Sequence, residues 1–177
     1  EEYDSLADLV SFGVAPAVLA YSWGLADFHR LGWMASFLFV VCGSMRLARF
    51  NIQTRVTDKK YFIGLPIPAA AGTIASLVLA TPERLVDQFW MTGLLVLTVI
   101  LSYLMISTLR YRSFKDLDLR RKRRAWILPV IALFFAVVAF RPAATLLAMA
   151  LLFAASGPVT KAISVIRDRR RHRASIV

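Results

Sequence analysis

An all-α, polytopic bundle of transmembrane helices is the fold class that the sequence predicts, and three observations predict it. Of 177 residues, 58% are hydrophobic and the mean hydropathy is +0.61, above the roughly 45–50% apolar share of soluble domains. The apolar residues are gathered into runs close to the ~20 residues that a spanning helix needs. The charge, 22 Lys and Arg against 11 Asp and Glu for a net +11, lies between those runs or close to their ends.

Six apolar segments follow in order: Ser5–Ala26, Leu31–Phe50, Leu65–Ala80, Phe89–Leu109, Ala125–Phe140 and Ala143–Thr160. None alternates with period two, so each is expected to be a helix rather than a barrel strand. The third and fifth are short for a span and are expected to tilt little or to enter a locally thin region. Pro66 and Pro68 suit the first turn of the third segment, where a missing N–H costs nothing. Its small residues, Ala69-Ala70-Ala71-Gly72 and Ala75-Ser76, predict close approach of a neighbouring helix. The single cysteine, Cys42, has no disulfide partner and reads as a small buried hydrophobe. Trp23, Trp33, Trp90 and Trp126 fall near segment ends, as an interfacial aromatic belt would place them.

If all six segments cross, nineteen basic residues lie on the side of Asp4, and only Arg30, Arg84 and Arg141 lie on the other. The positive-inside rule then makes the first side, and both ends of this chain, cytoplasmic. The basic runs 120–124 and 167–173 set this orientation and attract anionic membrane lipids. They contain no aromatic residues on which bases could stack, so no nucleic-acid partner is expected. One transmembrane domain, 1–160, and a basic cytoplasmic tail, 161–177, are expected. The chain opens on Glu1-Glu2-Tyr3-Asp4, without an initiator Met or a signal peptide, and that opening reads as a cut through something larger.

Asp4 and Asp8 are spaced i, i+4, so a helix stacks both carboxylates on one face at the cytoplasmic boundary. A lone acid there would read as a helix N-terminal charge. A pair repels, and a divalent cation held by oxygen ligands, Mg²⁺ or Mn²⁺, would relieve the repulsion. The second segment ends at the same boundary in Arg46-Leu47-Ala48-Arg49-Phe50-Asn51. Arg46 and Arg49, i and i+3, either snorkel to the interface or present guanidinium forks to phosphate or carboxylate. Carboxylates, a divalent metal and arginines at a lipid interface together suggest phosphoryl-group chemistry on a lipid.

The stretch Asp4-Ser5-Leu6-Ala7-Asp8 matches the final Asp-x3-Asp of the motif Asp-x2-Asp-Gly-x2-Ala-Arg, spacer, Gly-x3-Asp-x3-Asp. With its continuation to Ala17, and with Arg46–Asn51, Phe62–Ala71 and Tyr111–Asp116, it resembles the phosphatidylserine synthase branch of the CDP-alcohol phosphotransferase family. The resemblance covers most of the chain and thins after about Trp126. It implies attack of the serine hydroxyl on the β-phosphorus of CDP-diacylglycerol, giving phosphatidylserine and CMP at a bacterial inner membrane. Asp4 and Asp8 would hold the metal, and Asp8 would act as the base. Arg46, Arg49 and, more weakly, Asn51 are the substrate-binding candidates, on position alone. A homodimer is also implied. The first half of the motif does not occur in these residues, so two further spans are expected upstream and residues 1–177 alone are expected to be inactive. The competing readings are a sibling transferase that uses glycerol 3-phosphate or inositol phosphate, and a non-enzymatic membrane scaffold or transporter. The acceptor preference separates the first, and tolerance of Asp8→Asn the second.

Overall fold

The computed structural model describes residues 2–53, 61–112 and 139–174. Helix α1 (Tyr3–Phe28) and helix α2 (Arg30–Gln53) are joined at His29. Strand β1 (Tyr61–Ile63), helix α3 (Ile67–Ala80), helix α4 (Gln88–Ile106), strand β2 (Arg110–Arg112) and helix α5 (Pro142–Ala174) follow. The first, second and fourth predicted segments are therefore helices long and apolar enough to cross a membrane. The third has 14 helical residues, about 21 Å at the usual rise, short of a hydrocarbon core of ~30 Å. The fifth lies outside the described residues except for its last two. The sixth runs without a helical break through the expected tail boundary at residue 161 and on to Ala174.

Apart from these helices the described chain has one two-stranded antiparallel ladder, with Tyr61 opposite Arg112 and Ile63 opposite Arg110. Aromatic and β-branched residues suit β1, and Pro66 and Pro68 keep the following helix from starting earlier. Helix α1 is not uniform. It widens at Val10–Val14, where the Ala15 N–H reaches back to the Val10 carbonyl, and again at Tyr21–Leu25. Pro16 accounts for the first wide turn, because it lacks the N–H that would close a normal turn on residue 12. Gly32 then lets α2 start tightly against α1, since any Cβ there would collide with the Leu25 carbonyl.

Packing proceeds in two pairs, α2 against α4 and α3 against α5, with α1 touching α2 and α3. Phe39, Leu65, Ile67, Ile74, Leu94, Leu101 and Met105 are fully buried between them, and Cys42 joins this core as expected. The buried hydroxyls bond within their own helices: Thr73 to the Ala69 carbonyl, Thr98 to Leu94 and Ser102 to Thr98, each at 2.8 Å. The outer faces are greasy, with Leu6, Val18, Met34, Phe37, Leu79 and Tyr103 exposed, a surface that suits lipid and would be a liability in water. On α3 the small residues divide their work. Ala70 and Ala71 are buried in the bundle, while Ala69, Gly72 and Ala75 line an apolar groove of about 760 Å³ shared with Leu146, Met149 and Phe153 of α5.

The helix ends opposite Asp4 are pinned by side chains. Trp23 is buried, and its indole N–H donates to the carbonyls of Thr81 (3.0 Å) and Glu83 (2.8 Å), while the Leu85 N–H returns to the Trp23 carbonyl. The belt expectation is thus wrong for Trp23, which fastens a loop. Trp33 and Trp90 are exposed, as a belt requires, and Trp126 lies outside the described residues. Arg84 pairs with Asp27 at 2.8 Å on the same end.

Candidate active site

Asp4 and Asp8 sit on the first two turns of α1, Asp4 exposed and Asp8 half-buried, just ahead of the wide turn at Val10–Val14. The last turns of α2 come to the same place. Asn51 donates from Nδ2 to the Ser5 hydroxyl at 2.8 Å, tying the end of α2 to the residue that follows Asp4. Arg46 is 8% exposed, lies over the Phe50 ring at 5.3 Å from its centroid, and is within electrostatic reach of Asp8 and Arg49. Cation–π contact of this kind holds a guanidinium in place without consuming its N–H donors.

Arg49 is engaged differently from Arg46. Its Nη1 donates to the Ile106 carbonyl at 3.1 Å and its Nη2 to the Ser107 carbonyl at 3.2 Å, at the C-terminus of α4. The segment after β1 passes directly over this contact. Gly64 has φ +82°, and a Cβ there would stand 2.5 Å from the Met105 carbonyl and 2.8 Å from Arg49 Nη2. Its N–H donates to Leu109 at 2.8 Å, and that of Leu65 to Leu104 at 3.0 Å.

All five residues singled out by sequence therefore lie at one end of the bundle, with Arg46 within electrostatic reach of both Asp8 and Arg49, and Asn51 bonded to the residue beside Asp4. Ser5, Phe50 and Gly64 complete the cluster and are not picked out by spacing or charge. Their only signal is that they stand inside the quoted stretches. Tyr111 and Arg112 join the same end through β2, and the rest of the Tyr111–Asp116 stretch lies outside the described residues.

The chemistry of the donor set fits a divalent cation in kind, since two carboxylates on one helical face are hard oxygen ligands. Among the described residues no group of three or more His, Cys, Asp or Glu side chains could hold a metal ion. Asp4 and Asp8 are the residues of this chain that could contribute oxygen ligands to such an ion.

Comparison with known proteins agrees with this assembly. Residues 1–104 match the family model described as CDP-alcohol phosphatidyltransferase. The chain is 39% identical over 142 residues to a CDP-diacylglycerol–serine O-phosphatidyltransferase of Helicobacter pylori, a match covering 80% of this chain and 58% of that protein. It is 39% identical over 114 residues to the Bacillus subtilis protein of the same name, covering 64% of this chain and 59% of that one. An archaetidylserine synthase of Methanothermobacter thermautotrophicus is 41% identical over 114 residues, covering 61% of this chain and 42% of that protein. The chain spans less than two thirds of the length of these curated relatives. With the family model matched across more than half of its residues, and the carboxylate pair and arginines gathered at one helical end, the chain belongs to the CDP-alcohol phosphatidyltransferase family.

Proposed function

We propose that this chain is the part of a phosphatidylserine synthase that carries the last two motif aspartates, and that the whole protein transfers a phosphatidyl group from CDP-diacylglycerol to L-serine. The observation that carries the reading is the convergence of Asp8 and the buried Arg46 at one helix end, in a chain whose relatives are named for serine products or acceptors.

In this reading the Asp8 carboxylate accepts the proton of the serine hydroxyl. The serine oxygen bonds to the phosphorus that bears the diacylglycerol, and the bond from that phosphorus to the CMP oxygen breaks. Arg46 offers its fork to a phosphate or to the serine carboxylate. Its burial makes it a better anchor than an exposed cation, because competing water is scarce there. A divalent cation, Mg²⁺ or Mn²⁺, held in part by Asp4 and Asp8 would neutralise diphosphate charge when bound.

The charge asymmetry of the loops supports a bacterial inner-membrane protein with this end of the bundle and both chain ends cytoplasmic. Residues 1–160 then form the membrane-embedded catalytic part, and the basic residues beyond them lie on anionic lipid.

The test is CMP release from CDP-diacylglycerol by the full-length protein in membranes, with serine or glycerol 3-phosphate as acceptor. Serine-dependent release that falls by about 10²–10⁴-fold in Asp8→Asn supports the assignment. Release with glycerol 3-phosphate only moves the protein to a sibling branch. No release with either acceptor removes the catalytic role of Asp8.

A further inference from the structure

Arg46 and Arg49 stand on one face of α2, and their surroundings divide them into two different tasks. A helix ends with its last carbonyls unpaired, and these groups take donors from side chains, from neighbouring backbone or from water. At the end of α4 those donors can be followed one by one. The Tyr103 carbonyl takes the Ser107 N–H at 3.0 Å. The Leu104 carbonyl takes both the Ser107 hydroxyl at 2.7 Å and the Leu65 N–H at 3.0 Å. Further along, the Ile106 and Ser107 carbonyls take the two terminal nitrogens of Arg49. A guanidinium is suited to this because its donors are held in a fixed fork and its charge favours the negative end of the helix dipole.

Over the same fork lies Gly64, whose positive φ and missing side chain let the backbone after β1 close against Met105, Ser107 and Arg49. Three parts of the chain distant in sequence thus meet on one guanidinium: the end of α2, the end of α4 and the turn that leads into α3. The end of α2 is also the turn that presents Arg46 and Asn51 to α1.

We propose that Arg49 is a positioning residue. It fastens the last turn of α2 to the end of α4 and to the Gly64 turn, and so holds Arg46 in register with Asp8, without itself taking substrate. The kinetic part of this proposal rests on the transfer reaction proposed above, whereas its stability part does not.

The experiment compares Arg49→Lys, Gly64→Ala and the double variant with the parent full-length protein in membranes or detergent. Tm is read alongside kcat and the KM values for CDP-diacylglycerol and serine. Lysine keeps the charge but cannot hold two diverging carbonyls in a fixed fork. Gly64→Ala leaves Arg49 in place and pushes a methyl group into the same junction. Each single variant should lower Tm by about 2–6 °C and lower kcat roughly 10- to 100-fold through misplaced groups, with both KM values within about threefold. The double variant should lose little more than the worse single one, because both break one junction. A KM for either substrate raised more than about tenfold in Arg49→Lys, with Tm unchanged, would overturn the proposal and make Arg49 a substrate ligand. Additive Tm losses in the double variant would overturn the shared junction. If the parent protein shows no transfer with any acceptor, the transfer reading has failed, and the Tm coupling still decides whether the junction exists.

Discussion

Replacing Arg46 by Met separates folding from function, because the two effects of the change have opposite signs. Arg46 is 8% exposed, three residues from a second guanidinium, and stacked on Phe50 at 5.3 Å. Although it takes a positive charge away from Asp8, Arg46→Met relieves the cost of burying a guanidinium. Loss of the cation–π contact opposes this by ~0.5–2 kcal/mol. The two effects oppose each other, and at about 2–4 °C per kcal/mol for a chain of this size the Tm should fall by no more than ~8 °C. Activity carries the other sign. A charge-assisted hydrogen bond to phosphate or carboxylate contributes about 1.5–3 kcal/mol, so kcat/KM for serine-dependent CMP release should fall roughly 10- to 150-fold. Arg46→Lys should fall between the two, keeping the charge and losing the fork. The assay is CMP release beside a melting curve on the same membrane extract. A kcat/KM within threefold of the parent refutes the anion-binding role, and a Tm drop of more than ~8 °C shows that the charge is structural instead.

Trp23→Phe keeps the buried ring but removes both indole bonds to the 81–83 segment. Because Thr81 and Glu83 are exposed, water can replace the lost donor, so the cost should be about 0.5–1.5 kcal/mol, read as a modest Tm loss with faster proteolysis between residues 81 and 87. Thr98→Val removes a hydroxyl that bonds only within its own helix, and should change stability by less than about 1 kcal/mol despite complete burial, which a thermal melt checks. The Asp27–Arg84 pair is about half exposed on both partners, and a double-mutant cycle should give a coupling below ~1 kcal/mol that disappears in high salt.

Much of this arrangement was legible before any coordinates, for reasons that differ between residues. The long helices follow from run length and hydropathy, quantities local to each segment. Asp4 and Asp8 are legible because i, i+4 spacing alone puts them on one face. Arg46 and Arg49 look equivalent by the same logic, and their difference is invisible in sequence because it depends on carbonyls at Ile106 and Ser107, far along the chain. Gly64 is similar: its need for a positive φ comes from what lies above and below it. Trp23 misleads because an indole at a helix end suits a lipid headgroup and a loop carbonyl equally well, and only packing decides between them. The shortness of the third segment is legible too, because an apolar run of 16 residues, Leu65–Ala80, leaves room for few turns, and its helix has 14 residues.

The buried hydroxyls of Thr73, Thr98 and Ser102 have a bearing on how such a bundle can be assembled. Because each is satisfied by the helix that carries it, α3 and α4 can enter a bilayer singly without an unmet hydrogen bond at mid-depth. Among the described residues, polar ties between helices are found near helix ends, at Trp23 on one side and at Asn51 and Arg49 on the other. The hydroxyls at mid-depth add no bond between helices that would fix their height, so the two rims supply the polar part of that alignment. A helix inserted a turn too high or too low would keep its grease covered but miss its rim bonds, so vertical alignment is proofread where the bundle meets water.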